Sequence, residues 1–443
     1  MTHTAPLADR TPQAITARLD RFAHLTRGHK GLVVFLAPVF FFDVFDLSSF
    51  AYTAPALMVE WQLSIETIGV LSSAVFLGMF LGGVVGGRLA DRFGRRPLIL
   101  VGVTVFSAAS LLTAFAPNPV FFGIVRVITG FGLQMAMTSI LVIISESFPK
   151  SLRGRVMSIV LAVGLLTGPV LALAALILVP RGLWQVIFLF GGLGLLLAVI
   201  GYKVLPESPR WLALHGRADD ADAALQRYEQ QYLAAHGALP EPVLDPEPEP
   251  AEDGGIVGVF RRNLLGRTMI ALVAFIGLIL VAAFQQWLPT ILVESGYPQG
   301  QALTLTFVLA FGGVAGSLLS TLFIDRIDRK VSIALVLTVM AAAFVLLGFV
   351  GWLPVLLAAG LVVNASVPAL SAAVYSYVPE LYPLPVRGAG VGLSQGTGRV
   401  AGIFSGMIVA AVIAGFGTSG LFLYFALVAV VTAVIIAAFG PRR

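Results

Sequence analysis

The chain has 443 residues, of which 58% are hydrophobic and only 12% are charged, about half the charged share of an ordinary soluble protein. A soluble globule could not bury so much apolar surface, so the composition excludes a soluble enzyme and favours many membrane-spanning segments. Cysteine is absent, which excludes disulfides and cysteine metal sites, and the net charge of +5 comes from short loops, a pattern of membrane topology rather than nucleic-acid binding.

A polar arm precedes the first apolar run. It carries acidic residues and is a poor signal peptide, so we expect residues 1–30 to remain as a cytoplasmic arm. Twelve apolar runs follow, and each is long enough to cross the hydrocarbon core as an α-helix of about 20 residues. Their length favours helices over the alternating strands of a barrel. The predicted spans are 33–57, 67–88, 97–115, 119–145, 156–179, 183–205, 268–293, 301–324, 331–350, 353–378, 388–413 and 418–440.

The basic residues predict the orientation of these spans. All but three of the 28 lysines and arginines fall in the N-terminal arm, the C-terminus or the loops that follow even-numbered spans. Arg181 is the one basic residue in the other loops, and Arg126 and Arg399 lie inside spans. Cytoplasmic loops are enriched in lysine and arginine, so both termini are predicted to be cytoplasmic, in the inner membrane. An odd number of spans would destroy this asymmetry.

The acidic residues inside the first span are candidate proton carriers. Of the 23 acids, only Asp43 and Asp46 lie deep within a span, and every histidine and lysine lies at or beyond the cytoplasmic end of one. A charge in hydrocarbon costs a few kcal/mol, which indicates function. Three residues apart on a helix, the two carboxyl groups share one face and resist ionising together, so one is expected to hold a proton. Arg126 is expected to pair with either of them.

Two motifs recur with one fixed spacing. The loop after the second span reads GGRLADRFGRRPLIL and the loop after the eighth reads STLFIDRIDRKVSIAL. The fourth span ends in ESFPKSLRG and the tenth in ELYPLPVRG. Because both motifs share one offset, the sequence indicates a duplicated six-span unit. The residues that are 234 positions apart include Asp91 and Asp325, Glu146 and Glu380, and Arg153 and Arg387.

The segment from Gly87 to Arg96 resembles the signature loop of the major facilitator superfamily, at its expected place between spans two and three. The resemblance covers the chain from about residue 31 onward and implies two pseudo-symmetric six-helix bundles. It implies that Asp91 is a latch between the halves in the outward-open state. In the second copy, Asp328 departs from the pattern at the position of Gly94. The gating set that follows from the resemblance and the repeat is Gly87, Asp91, Arg92, Gly94, Arg95, Glu146, Arg153, Asp325, Arg329, Glu380 and Arg387.

Further motifs narrow the resemblance. PESPRWL, at residues 206–212, resembles sugar porters, organic-ion transporters and metabolite:proton symporters. The first-span run from Phe42 to Asp46, followed by Pro55 and a Glu-Trp step, is similar to aromatic-acid:proton symporters, although Val44 stands where their pattern has glycine. Arg126 matches the superfamily's fourth-span Arg-x-x-x-Gly-x-Gly pattern.

The longest loop, 206–266, separates an N-terminal bundle, 31–205, from a C-terminal bundle, 267–443. Its stretch from Arg217 to Leu233 can form an amphipathic helix, and the acidic, proline-rich run EPVLDPEPEPAEDGG has no core to bury. We therefore expect this loop to be a solvated tether between the two bundles.

Arg399, in the eleventh span, lacks an acidic partner in its own half. A buried cation that faces a cavity is a good anchor for a carboxylate, which indicates an organic anion as substrate. Alternatively, Arg399 bonds backbone carbonyls or reaches water. Polar side chains at similar depth are predicted to complete the binding site, although each could instead join helices. They are Gln134, Gln285, Gln286, Asn364, Tyr375 and Gln395.

Together these features predict proton-coupled uptake of a small organic acid, with aromatic acids as one class, by alternating access. The expected partners are the substrate, protons and the lipid bilayer, and a single chain is expected to suffice. No cofactor, metal or nucleic acid is expected, and neither is enzymatic activity. The alternatives are a sugar or polyol:proton symporter, a drug or organic-cation:proton antiporter, and a non-transporting membrane sensor.

Overall fold

The computed structural model describes residues 11–243, 256–323 and 327–441. Throughout these ranges every regular element is a helix and no strand occurs, which confirms the all-α prediction. The helices before the inter-bundle linker are α1 (Pro12–Asp20), α2 (Arg27–Glu60), α3 (Ile65–Phe93), α4 (Arg95–Ala114), α5 (Pro119–Ser147), α6 (Lys150–Leu165), α7 (Thr167–Leu178), α8 (Gln185–Gly191), α9 (Gly194–Val204), α10 (Pro209–Leu214) and α11 (Ala218–His236). Those after it are α12 (Ile256–Val259), α13 (Leu265–Glu294), α14 (Gln299–Phe323), α15 (Arg329–Phe349), α16 (Leu353–Glu380) and α17 (Leu384–Phe439).

Eleven stretches of the described helices are long and apolar enough to cross a membrane. The last, Val386–Phe439, has 54 residues, which at 1.5 Å per residue is about 80 Å, far more than a bilayer core of about 30 Å. Gly417 breaks it, with φ 67° and ψ −173°, a conformation open mainly to glycine. The two arms of α17 are therefore two spans, and the prediction of twelve, with a break between residues 413 and 418, is confirmed.

Polar side chains fix where the long helices begin. The Thr26 side chain accepts a hydrogen bond from the backbone N–H of His29, and Nδ1 of the His29 ring accepts one from the backbone N–H of Thr26. Ser64 and Asn118 accept from the third residues of α3 and α5. These caps satisfy N–H groups that a helix start leaves without partners, so each apolar run starts at a defined residue.

The sequence repeat is also a packing repeat. Gly78 lies so close to the backbone of α5 that an added Cβ would overlap the carbonyl oxygen of Val127. In the second half, Gly312 lies against α16, with an added Cβ at 2.9 Å from the carbonyl oxygen of Leu361. Both residues of the second pair stand 234 positions after those of the first. The same small residues thus bring two helices together in each half.

The two halves meet through α3 with α17, α7 with α14, and α2 with α13. The two backbones come close together at Gly69 and Gly406, where an added Cβ on Gly69 would stand 2.8 Å from the Gly406 carbonyl oxygen. Gly402 packs on the Phe76 ring, nearer the middle. We call the end that carries the signature loop and α11 the basic end. The Gly69 contact lies toward the opposite end, where it closes the space between the halves.

The N-terminal arm and the first part of the inter-bundle loop pack together at the basic end. Arg18 of α1 forms ion pairs with Asp222 and Glu229 of α11, at 2.8 and 2.9 Å. Apolar side chains of α1, α10 and α11 form a small core of their own. The expected solvated tether is therefore wrong for residues 206–236, while residues 244–255 lie outside the described part.

The arm is also fastened to the first half. Asp20, at the end of α1, accepts a hydrogen bond of 2.6 Å from the backbone N–H of Lys150 at the start of α6. The buried His29 ring stacks on Tyr228 of α11, with centroids 4.2 Å apart, and its Nε2 lies 3.1 Å from the carbonyl oxygen of Ser147. α11 is therefore positioned against α2 and the end of α5.

Candidate functional site

A buried ion pair lies within the first half. Arg126 of α5 donates from Nη1 to the Asp46 carboxylate of α2 at 2.6 Å, and the two side chains are 1% and 0% exposed. The guanidinium also donates to the Asp46 backbone carbonyl at 3.2 Å. Of the two partners that the sequence left open for Arg126, the structure brings Asp46 to it.

Small residues of the neighbouring helices make room for this pair. Gly191, at the end of α8, faces it so closely that an added Cβ would stand 3.0 Å from Asp46 Oδ2 and 2.5 Å from the Ser110 hydroxyl of α4. Arg126 Nε is buried with no hydrogen-bond partner among the described residues, and the Ser110 hydroxyl lies beside the Asp46 carboxylate.

Asp43, one helical turn before Asp46, has a different environment. It is buried, and its Oδ1 has no hydrogen-bond partner in the described part of the chain. Two charged groups lie near enough to act on its carboxyl group, Arg399 of the second half and Asp46. The two predicted aspartates therefore have separate cations, one in each half of the molecule.

Arg399 lies midway along the first arm of α17 and faces α3. Its Nη1 is 3.8 Å from the Met79 sulfur, and within the described ranges no carboxylate lies within 4 Å of it as an ion-pair partner. The side chain is partly buried. It is therefore a cation at the interface of the two halves, close to Asp43 but not neutralised by direct contact.

The predicted polar residues divide into two groups. Gln285 of α13 donates to Asn364 of α16 at 3.3 Å, and Tyr375 of α16 meets Phe275 edge-on at 5.1 Å. Gln134 instead donates to Thr138 on its own helix at 3.2 Å. The structure thus brings together α13 and α16 side chains, and it does not join Gln134 to them. Gln286 and Gln395 are partly buried.

The charged site has no counterpart in the second half. The positions 234 residues after Asp46 and Arg126 are Leu280 and Gly360, and that after Asp43 is Gly277. Duplication therefore supplied the scaffold, whereas the buried charges belong to single positions. This asymmetry is the kind expected of residues that carry a function rather than hold a bundle together.

The signature loop forms its ion pairs inside the first half. Arg95 donates from Nε and Nη2 to the Glu146 carboxylate, at 3.0 and 2.9 Å, and from Nη1 to the Ala90 carbonyl at 2.6 Å. The Asp91 carboxylate lies 3.3 Å from Arg95, and its side chain is 79% exposed. In this conformation Asp91 is bonded within its own loop and is exposed at the basic end.

The second half repeats these contacts at the same offset of 234 residues. Each half has one arginine paired with a glutamate and one arginine bonded to a backbone carbonyl. Asp325, the predicted counterpart of Asp91, lies outside the described residues. In the second half Arg329 pairs with Glu380, as Arg95 pairs with Glu146 in the first. Arg153 of the first half donates to the carbonyl oxygen of Phe148 at 2.8 Å, and its counterpart Arg387 donates to that of Tyr382 at 3.3 Å.

Sequence reasoning missed how PESPRWL supports the signature loop. Glu207 accepts hydrogen bonds from the backbone N–H groups of Arg95 at 2.9 Å and Arg96 at 3.2 Å, so it caps α4. The Trp211 ring nitrogen donates to the carbonyl oxygen of Asp91 at 2.9 Å. The motif was recognised only as a resemblance, because contacts between residues more than 100 positions apart do not follow from spacing.

The other predicted gating residues lie around this cap. Gly94 ends α3 with φ 100° and ψ 168°, while Gly87 lies inside the same helix with nothing within 4 Å of where a Cβ would be. Arg92 lies over the Phe93 ring at 5.2 Å. In the second copy, Asp328 has φ −49° and its own side chain caps α15.

The comparisons with known proteins agree with this architecture. The sequence profile of the Major Facilitator Superfamily matches residues 36–353. The chain is 32% identical over 430 residues to a Bacillus subtilis protein named for metabolite transport, YyaJ, covering 96% of this chain and 95% of that protein. It is 31% identical to the gallate transporter of Pseudomonas putida, covering 91% and 90% of the two chains.

Among solved structures, the partially occluded inward-open form of the xylose transporter XylE from E. coli superposes with a TM-score of 0.75. The match covers 93% of this chain and 98% of that one at 18% identity, so it bears on the fold alone. It supports the twelve-helix arrangement that Gly417 indicates. On the family match and on identity over nearly its whole length, the chain belongs to the Major Facilitator Superfamily of membrane transporters.

Proposed function

We propose that this protein imports a small aromatic carboxylate together with protons across the inner membrane by alternating access. The relatives support this substrate class by their names. One is named for gallate, one for niacin, one for benzoate and one for 4-hydroxybenzoate, and each of these compounds is a carboxylic acid on an aromatic ring. The proposed moving units are the predicted bundles, 31–205 and 267–443, in a single chain with both termini cytoplasmic.

The observation that carries the proposal is that Arg399 lies at the interface without an ion-pair partner in the described ranges, and near enough to the buried Asp43 to act on it electrostatically. A guanidinium binds a carboxylate in a bidentate geometry, so Arg399 is the proposed anchor for the substrate. Gln285, Asn364 and Tyr375 lie on helices of the same half and are proposed to bond the rest of the substrate. A binding pocket for a small ligand needs only a few precisely placed polar groups.

The same electrostatic interaction couples the substrate to a proton. While Asp43 is ionised it competes with a substrate carboxylate for Arg399. A proton on Asp43 removes that competition and leaves Arg399 as a cation that an incoming anion neutralises. Asp46 and Arg126 form the proposed second switch, since protonation of Asp46 would release Arg126. Proton and anion are then favoured together, which is the requirement for symport.

The contacts between the halves support a state open to the cytoplasm. If the basic end is cytoplasmic, the close approach of Gly69 and Gly406 closes the outer side. Asp91, bonded to Arg95 within its own half, is then a released latch. In the opposite state Asp91 is proposed to bridge the two halves, as the resemblance implies. The remaining gating residues hold the loops at the same end.

The test is uptake of radiolabelled 4-hydroxybenzoate into proteoliposomes with an imposed pH gradient. We expect the wild type to accumulate it against its concentration gradient, and Asp43→Asn and Asp46→Asn to lose accumulation while keeping exchange between equal pools. Arg399→Gln should raise KM at least about tenfold, since a charged hydrogen bond contributes about 1.5–3 kcal/mol. A membrane potential of 100 mV adds about 2.3 kcal/mol per net charge moved, so a potential clamp reports how many protons accompany each anion.

Matched controls separate these effects from general damage. Glu66→Gln alters an exposed carboxylate in the first turn of α3, and Arg181→Gln alters an exposed arginine at the opposite end from the basic loops. Both should transport as the wild type does. The coupling proposal fails if Asp43→Asn and Asp46→Asn both still accumulate substrate. Stimulation of export by an inward proton gradient would favour the cation antiporter instead, and binding without flux would favour the sensor.

A further inference from the structure

A cavity of about 480 Å³ lies on the surface of the second half at the basic end, between the start of α13 and the end of α17. It is remote from the charged site between the halves. Its apolar walls include Met269 and Val273 of α13 and Ile435 and Phe439 of α17. Met269 is 43% and Phe439 73% exposed. An apolar surface that is open at the side of a membrane protein faces lipid tails rather than water.

The mouth of this cavity is cationic. Arg267 lines it and is partly buried, and a hydrogen bond of 3.3 Å from its Nη1 to the carbonyl oxygen of Leu381 holds the guanidinium in place. Asn263 also lines the cavity, and the exposed Arg262 is its neighbour in the chain, just before α13. The groove thus combines apolar walls with cations at one end, which matches a molecule with a negative head and an apolar chain.

We propose that this groove binds an anionic glycerophospholipid of the surrounding leaflet. Its phosphate would lie against Arg267 and Arg262, because guanidinium groups bind phosphate in a bidentate geometry. One acyl chain would lie along Met269, Val273 and Phe439. Basic pockets at the cytoplasmic side of transmembrane helices are known sites for anionic headgroups, and each nearby lysine or arginine contributes about 1 kcal/mol to such binding. The proposal does not depend on which substrate is transported.

The experiment measures lipid binding to the purified full chain by native mass spectrometry and by thermal stabilisation. The probes are phosphatidylglycerol, zwitterionic phosphatidylcholine and inorganic phosphate. We expect phosphatidylglycerol to bind and stabilise, and phosphatidylcholine and phosphate to have much weaker effects. Arg262→Gln and Arg267→Gln should each weaken phosphatidylglycerol binding about fivefold, and the double variant about thirtyfold. Arg181→Gln, at the opposite end, should leave it unchanged.

The readout is the difference between phosphatidylglycerol and phosphatidylcholine in binding and in thermal stabilisation. A general loss of stability in a variant affects both lipids equally and does not obscure this difference. A second variant, Val273→Trp, fills the apolar part without removing charge and should also reduce the difference. Equal binding of phosphatidylglycerol to the wild type and the double variant would overturn the proposal. The proposal would also be overturned if inorganic phosphate stabilised the protein as much as phosphatidylglycerol does, because this would indicate a simple anion site. The proposal would also be overturned if lipid bound only after the acids of residues 244–255 were replaced by glutamine. In that case the acidic linker, and not a lipid, would be the natural occupant of the groove.

Discussion

The signature loop offers a sharp test at Gly94, where α3 ends and α4 begins. Its φ of 100° and ψ of 168° lie in a backbone region that is essentially restricted to glycine, and placing another residue there costs about 1–3 kcal/mol. An added Cβ would also overlap Glu207 Oε2 and stand 2.9 Å from its Cδ. Gly94→Ala therefore strains the backbone and displaces the Glu207 carboxylate.

The displaced carboxylate matters because it is the cap of α4. Gly94 has no side chain with which to cap that helix, and Glu207 bonds its first two N–H groups. Loss of a helix cap costs about 0.5–2 kcal/mol. Together with the strain, Gly94→Ala should destabilise the protein by about 1.5–5 kcal/mol. Gly87→Ala, in the same loop motif but with open space around its Cβ position, should be neutral or stabilising by about 0.5–1 kcal/mol.

The assay is thermal unfolding of both variants in the same detergent, with transport measured in parallel. Gly94→Ala should unfold several degrees below Gly87→Ala and should lose transport. Glu207→Gln, which keeps the shape but removes the charge, should lie between the wild type and Gly94→Ala. If the two alanine variants unfold at the same temperature, the close contact between Gly94 and Glu207 does not exist and the reasoning is refuted.

Three further outcomes follow from the same structure. Arg18→Ala removes the ion pairs with Asp222 and Glu229, although Glu229 keeps Arg21, so we expect a loss of about 1.5–3 kcal/mol and proteolysis of the arm about ten- to 150-fold faster, while Arg27→Ala, at an exposed position, should not change it. Burial raises the pKa of Tyr228 to about 12, so the stabilisation from its buried neutral phenol is complete below pH 10 and is lost as the pH rises to 12. The arm should therefore loosen between pH 10 and 12, as monitored by tyrosine absorbance. In Tyr228→Phe it should not loosen over that range. Gly417→Ala should lower the unfolding temperature through a backbone cost of about 1–2 kcal/mol, and Gly415→Ala should not.

Much of the fold could be predicted from the sequence because bilayer thickness sets the length of each apolar run. The break inside α17 was anticipated to within a few residues, since Gly417 lies in a short gap between two runs. The repeat could also be predicted, because its ion pairs use residue types that are conspicuous among apolar neighbours. Arg329 and Glu380 reproduce Arg95 and Glu146 at one offset, so the sequence alone contained this symmetry.

The site could be predicted only in part. Burial cost singled out Asp43, Asp46 and Arg126 as residues, but not which aspartate would meet the arginine, because both lie on one helical face. That choice depends on the position of α5 against α2. The docking of the arm onto α11 was missed for a related reason: Arg18 and its acidic partners are more than 200 positions apart and look like ordinary solvated charges.

The distribution of charged contacts suggests how one scaffold combines rigidity with switching. Duplicated ion pairs, Arg95 with Glu146 and Arg329 with Glu380, hold helix ends inside each half, so each half can move as a unit. Of the unduplicated charges, the Asp46–Arg126 pair lies inside the first half, whereas Arg399 of the second half acts on Asp43 of the first, so that the energy of this interaction depends on the distance between the bundles. A contact within one half is unchanged by rocking, whereas an interaction between the halves changes with it. The proposed proton-dependent step that senses the rocking motion is therefore best placed on Asp43, and the Asp46–Arg126 pair, the proposed second switch, would respond through movements within the first half.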